Sequence, residues 1–257
     1  GGFGFAGQQQ PPPPPKTPPP VNLFTRSTVQ NIEAKDFDTK VMRNQGMWLI
    51  YYYNNDQVSR HTVKEFEAAS KDLTGLVHVG AINCLADMAL CTKRGAGVKL
   101  PAVHVLPYGS AITKGAPFKL GGGINHKSVV KFALEKLPNF SLHVDESNYD
   151  KRFQRDPTLP RAVLFTSKPT TPAIWKALSA EFRGRVSFFE VVAEEPRANA
   201  MCEKFRVVQV PTMVGLLSGT GSSYITHQFV PIAAGPPSVS TLSSHMHRLI
   251  AADKMTP

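Results

Sequence analysis

Short apolar runs alternate with segments of helical periodicity from about residue 22 onward. Trp48–Tyr53 is a continuous apolar and aromatic run closed by the polar turn Asn54-Asn55-Asp56, the pattern of a buried strand. Before it, Ser27–Ile32 predicts a short strand, and Asp36 an N-cap for a helix running to about Val41. After it, Thr62–Asp72 places Val63, Phe66, Ala69 and Leu73 on one helical face, and Gly75 stops that helix as a C-cap glycine would. Leu76–Asn83 predicts a strand, and Asp87–Arg94 a short helix closed by Gly95. Ala102–Leu106 predicts a strand paired with Phe118–Leu120, and Lys127–Leu137 a last helix. The run Gly121–Gly123 is not a phosphate loop, because no Gly-Lys-Ser/Thr follows it.

The plan then repeats. Strands are predicted at Arg161–Thr166, Val186–Val192, Thr212–Leu217 and Ile225–Val230. Helices are predicted at Thr171–Phe182 (Pro172 in its first turn), Arg197–Phe205 and Ser240–Ala252, with a hairpin loop at 218–223. Phe66 and Trp175, Gly75 and Gly184, and Pro101 and Pro211 recur at nearly one offset, so three landmarks of different chemistry argue for two copies of one fold. A chain of 257 residues has room for two domains of ~100–200 residues. The expected organisation is a linker at 1–21, a first domain at 22–138 and a second at 139–257.

Composition sharpens the ends of this scheme. Residues 1–20, GGFGFAGQQQPPPPPKTPPP, contain no core-forming pattern and read as a flexible arm ending in a polyproline II rod, or as a ligand for an aromatic groove. The chain opens on Gly1 without an initiator Met, as a mature or truncated piece would. No run is long and apolar enough to span a bilayer. The net charge of +10 is spread thinly, without a run of five basic residues, which suits a solvated surface better than a nucleic-acid site. Three cysteines, Cys84, Cys91 and Cys202, contain no Cys-x-x-Cys pair and offer no zinc spacing. His61, His104, His126, His143, His227, His245 and His247 do not converge in sequence, so neither metal nor cofactor is expected.

The element order, with Leu100-Pro101 opening one strand and Val210-Pro211-Thr212 opening its counterpart, resembles the thioredoxin folds of the protein disulfide isomerase family. GLVHVGAINC at 75–84 and KDFDTKV at 35–41 are similar to the same family. The implied fold class is α/β: two tandem thioredoxin-like folds, each a central mixed sheet flanked by helices, after a disordered Gly/Phe- and Pro-rich arm. The resemblance implies that Pro101 and Pro211 are cis, a geometry that X–Pro bonds tolerate. NCLADMALC, carrying Cys84 and Cys91, resembles the J-domain-bearing disulfide reductases of the endoplasmic reticulum, and the Gly/Phe tract resembles the connector that follows a J domain. Against that background Cys84 and Cys91 are expected either to form a structural disulfide or to pack as two small buried thiols. Cys202 is expected to be core.

The departures from the family pattern decide the functional expectation. An active member would carry two cysteines near Asp56–Ser59 or Gln57–Arg60, and neither register holds one. The buried acid that moves protons falls at Tyr51, a residue unable to do so at neutral pH. In the second copy the turn at 166–170 also lacks Cys, and the acid position is Leu164. Thiol–disulfide exchange needs a thiolate. The expectation is therefore a non-enzymatic protein-binding module, of chaperone, co-chaperone or scaffold type. Its groove is expected to be lined by Tyr52, Tyr53, Val58, Leu100 and Pro101, with Pro211 in the second copy, and to take protein partners or unfolded polypeptide. Two alternatives remain open: a thiol oxidoreductase using Cys84 and Cys91, or a structural subunit of a large mitochondrial assembly, the ribosome or a respiratory complex, with nucleic acid among its contacts. The endoplasmic reticulum lumen is the expected compartment under the resemblance, and the mitochondrion under the assembly alternative.

Overall fold

The computed structural model describes residues 20–44, 46–96, 99–108, 116–218, 227–228 and 238–255. The first half runs β1 (Gln30–Asn31), α1 (Ala34–Phe37, continued by a π-helical turn at Asp38–Met42), β2 (Trp48–Tyr53), α2 (Gln57–Asp72) and β3 (His78–Asn83). It continues through α3 (Met88–Lys93), β4 (Ala102–Leu106), β5 (Phe118–Lys119) and α4 (His126–Glu135). The strands form one five-stranded sheet in the order β1-β3-β2-β4-β5. β2 lies at its centre, parallel to β3 and antiparallel to β4, and all six of its residues are buried.

That complete burial follows from the period of two along a strand with helices on both faces. Leu49, Tyr51 and Tyr53 point into one core with Phe66, Ala69 and Leu73 of the α2 segment and Val129 and Ala133 of α4. Trp48, Ile50 and Tyr52 point into the other, with Phe37, Val41, Cys84 and Cys91. Each such large side chain withdrawn from water contributes about 1.5–3 kcal/mol, so β2 anchors both layers at once.

The second half runs β6 (Leu142–His143), α5 (Tyr149–Phe153), β7 (Arg161–Thr166), α6 (Ala173–Glu181) and β8 (Ser187–Val192). A 3-10 turn (Pro196–Ala198) leads into α7 (Asn199–Lys204), followed by β9 (Thr212–Leu216), β10 (His227–Gln228) and α8 (Val239–Met255). Its sheet order, β10-β9-β7-β8-β6, places β7 where β2 stands in the first. Register makes the equivalence residue-specific: Tyr52 faces Ala102, which follows Pro101, and Phe165 faces Thr212, which follows Pro211. The Leu100–Pro101 and Val210–Pro211 bonds are both cis, as expected.

The central strands match the sequence reading, and the differences lie at element starts. The strand expected at Ser27–Ile32 is confined to Gln30–Asn31. Thr28 instead bonds Ser70 through its hydroxyl and Val29 sinks into the first core. Asp36 does not cap α1. The helix begins at Ala34, and Asp36 lies inside it, paired with Lys40 at 2.9 Å. α2 begins at Gln57 rather than Thr62. β6 and α5 were not foreseen, being only 2 and 5 residues long. Of the strand expected at Ile225–Val230 only His227–Gln228 is described, and of the loop at 218–223 only Ser218; the rest, like the arm at 1–19, lies outside the described residues. No helix among the described residues is long and apolar enough to cross a membrane.

The two sheets are joined by packing as well as by chain. Ala173 and Ala177 of α6 pack on the first core. Gly75, in the left-handed region at φ +76°, lies against Val239 of α8; a Cβ at position 75 would fall 2.9 Å from the Val239 Cβ. A cleft of about 680 Å³ opens between the halves, lined among others by His78, Tyr108, Glu181 and Ser243.

Candidate functional site

Tyr53 ends β2, and Asn54, Asn55 and Asp56 carry the chain into α2. Asp56 is the N-cap: extended at φ −71°, ψ 170°, it accepts the Ser59 N–H at 2.7 Å through its carboxylate. Ser59 returns the contact through Asn54, donating its hydroxyl to Asn54 Oδ1 at 2.8 Å, and Asn54 Oδ1 also accepts the Asp56 N–H at 3.2 Å. Burial opposes the charge on Asp56, but the hydrogen bonds from Ser59, Asn54 and Val58 outweigh it and hold its carboxyl below the usual range. A helix N-terminus favours an anion. Here the anion is the carboxylate of Asp56, and no thiol stands in the turn.

Tyr51 lies directly beneath. Its hydroxyl donates to the Ser59 carbonyl at 3.0 Å and contacts Thr62 Oγ1 at 2.7 Å. Burial pushes its pKa up to about 12, so it remains a neutral phenol that ties strand to helix. Its equivalent Leu164 has no ionisable group at all.

An N-terminal strap crosses the end of the sheet beside this turn. The Asn55 amide, oriented so that both its atoms are paired, donates to the Val21 carbonyl at 3.0 Å and accepts the Val21 N–H at 2.9 Å. Asn83, at the end of β3, also donates its side-chain amide to the Val21 carbonyl, at 3.0 Å, and its Oδ1 accepts the Leu85 N–H. Further along the strap, Asn22 Oδ1 accepts the Phe24 N–H at 2.9 Å. Near these bonds four apolar side chains are exposed: Val21 (52% exposed), Val58 (58%), Leu85 (52%) and Met88 (49%). Leu100 and Pro101, both half-buried, border the other flank, because Pro101 adjoins Ala102 opposite Tyr52.

The expected groove is corrected on two residues. Tyr52 and Tyr53 are 0% and 1% exposed, so they form the floor beneath the surface and offer nothing to a ligand. Pro211, the counterpart of Pro101 in the second fold, stands just before β9. Val58, Leu100 and Pro101 remain at the turn end. Val21, Leu85 and Met88 were missed. Val21 follows the proline arm, and Leu85 and Met88 stand among apolar residues, so nothing in their local pattern marks them as exposed. Asp56 could have been found, since Asp three residues before a first-turn Ser is an N-cap signal.

Cys84 and Cys91 form a disulfide, with Cα atoms 5.8 Å apart. Both residues are 0% exposed, packed among Tyr52, Ala96 and Ile82. Cys202 is half-buried against the second core, where burial raises its thiol pKa. At the second turn, Ser167, Lys168, Pro169 and Thr170 are exposed. The α6 N-cap is Pro172, which makes no side-chain cap.

No protein-family model matches the chain. It is 27% identical over 190 residues to the DnaJ protein ERDJ3A of Oryza sativa subsp. japonica, covering 73% of this chain and 32% of that protein. It is 30% identical over 204 residues to a protein disulfide-isomerase-like protein of Dictyostelium discoideum, covering 77% of this chain and 48% of that one. The chain thus spans less than half the length of either relative. Among solved structures, a crystal structure of ERdj5 (form II) superposes with a TM-score of 0.50 at 17% identity, covering 88% of this chain and 30% of ERdj5. The two sheets are thioredoxin-like folds in tandem, and the chain is similar in sequence to J-domain and protein disulfide isomerase-like proteins.

Proposed function

We propose that this chain is a non-catalytic protein-binding unit that receives unfolded polypeptide or an extended partner segment at the turn end of its first thioredoxin-like fold, in the endoplasmic reticulum lumen. The observation that carries the reading is the surface around α2. A carboxylate caps the helix where exchange chemistry needs a thiolate, and Val21, Val58, Leu85 and Met88 stand exposed around it. Exposed apolar groups gathered at one end of a fold suit the capture of apolar segments. The domain boundaries near residues 21 and 138 belong to the same proposal. Similarity to J-domain and protein disulfide isomerase-like proteins supports protein as the partner, and a buried disulfide suits an oxidising compartment.

The test is binding of a fluorescent, permanently unfolded polypeptide to the purified chain. Val58→Asp combined with Leu85→Asp is expected to weaken binding at least tenfold with an unchanged far-UV spectrum. No binding by the unmodified chain, together with no co-purifying protein partner, sinks the proposal.

One observation favours a second reading: Cys84 and Cys91 are bridged, so they hold a redox-capable bond. Its burial opposes attack by an external thiolate, because exchange needs access to a sulfur. Fast, reversible labelling of the pair in glutathione buffers would restore the oxidoreductase reading. Neither relative's similarity supports a mitochondrial assembly or a nucleic-acid contact.

A further inference from the structure

The stretch Asn139-Phe140-Ser141 matches the acceptor pattern for N-linked glycosylation, Asn-x-Ser/Thr with x not Pro. No other asparagine of the chain is followed two residues later by Ser or Thr. A three-residue pattern arises readily by chance, so its structural context decides. It lies in the irregular connection between α4 and β6, and Asn139 is exposed. A surface loop is the setting the modification needs, because a bulky, solubilising oligosaccharide must stand in water. The rest of the loop is pinned inward. Arg183 lies 4.2 Å over the Phe140 ring, Tyr108 packs against it edge-on at 5.3 Å, and the Phe140 N–H donates to Ser179 Oγ at 3.1 Å. Ser141, 8% exposed, accepts the indole N–H of Trp175 at 3.0 Å.

We propose that Asn139 is the acceptor for an N-linked oligosaccharide, whose stem stands beside the turn of the second fold. Asn139 Oδ1 accepts the Ser141 N–H at 3.0 Å, and Nδ2 donates to Thr171 Oγ1 at 2.8 Å. Thr171 directly follows the exposed residues 167–170 of that turn. The amide nitrogen carries two hydrogens. One makes the bond to Thr171 and the other is replaced, so the loop keeps both of its hydrogen bonds around the sugar. In the transfer Nδ2 loses a proton and bonds to the anomeric carbon of the first N-acetylglucosamine. The bond from that carbon to the diphosphate of a lipid-linked oligosaccharide donor breaks, the lipid diphosphate leaves with the electron pair, and nothing is oxidised or reduced. Because the Ser141 hydroxyl is enclosed in the finished fold, transfer precedes folding of the second half. The proposal rests on the endoplasmic reticulum placement, which brings the chain to such donors.

The test delivers the whole chain into the lumen of cultured animal cells behind a cleavable signal peptide, which separates acceptor chemistry from the chain's own address. A slower band on a denaturing gel is expected, returned to the unmodified position by peptide N-glycanase. That enzyme leaves a carboxylate in place of the Asn139 amide, which peptide mass spectrometry detects. Asn139→Gln keeps a side-chain amide and is expected to lose the shift. Ser141→Ala keeps Asn139 and is expected to lose it too, a result a denaturing gel reads whether or not the variant folds. An unshifted parent chain in the lumen, or a shift that survives in either variant, overturns the proposal. If the delivered chain is modified while the natural protein is located outside the secretory pathway, the acceptor stands and the placement falls.

Discussion

Asp56 does at one residue what a thiolate does in an exchange-active turn: it places negative charge against the open N–H groups of α2. Its cap bond to Ser59 predicts that Asp56→Ala lowers stability by about 1 kcal/mol in urea denaturation, while Asp56→Asn, also a good cap, loses much less. His104 carries the pH dependence at this scale. Burial, aided by the charge of Lys119, lowers its pKa to about 4 from 6.5. The unfolded chain therefore binds the extra proton first as pH falls. The associated stability is fully present above pH 6.5, drains away between 6.5 and 4, and is flat below. Unfolding free energies measured at pH 7 and pH 5 should show the fall, and His104→Leu should flatten it. Unchanged stability across that range in the parent chain would contradict the assignment.

At the level of elements, the disulfide is the main cross-link in a short stretch. It joins the residue after β3 to the second turn of α3 across a separation of 7 residues. Closing so small a loop stabilises by about 2–3 kcal/mol, so the double variant Cys84→Ala/Cys91→Ala should shift the urea midpoint accordingly. Because both sulfurs are enclosed, the native bond should resist a mild reductant until denaturant opens the fold. Rapid reduction without denaturant would count against a purely structural bond. Central strands were legible residue by residue, since Trp48–Tyr53 and Arg161–Thr166 are apolar runs with polar ends. Helix starts were not. The first turn of α2, Gln57–His61, has Val58 as its one apolar residue, and that residue faces solvent, so periodicity carries no signal there.

For the molecule as a whole, the two folds meet where Gly75 touches α8. Gly75→Ala forces a side chain into the left-handed region and against Val239. Gly184 shares that backbone geometry at φ +75° with open space around it. Gly184→Ala should therefore cost only the backbone penalty of about 1–2 kcal/mol, and Gly75→Ala clearly more. Equal losses in thermal unfolding would mean that the contact between folds contributes nothing. The binding surface belongs to this scale too. Val21 is tied by Asn55 to the turn that carries Val58 and by Asn83 to the end of β3 that carries Leu85, contacts that span 34 and 62 positions of sequence.

By itself, the sequence determined the repeated α/β plan, the two X–Pro strand openings and the absence of cysteine at either turn. Those features are local: strand runs, glycine stops and residue identities are written within a few positions. Only the tertiary structure decided that Cys84 and Cys91 are bridged rather than free. It also decided that Tyr52 and Tyr53 are floor rather than surface, and which apolar residues surround the turn. Burial depends on what packs from the far side of the sheet, and residue types along one strand do not carry that information.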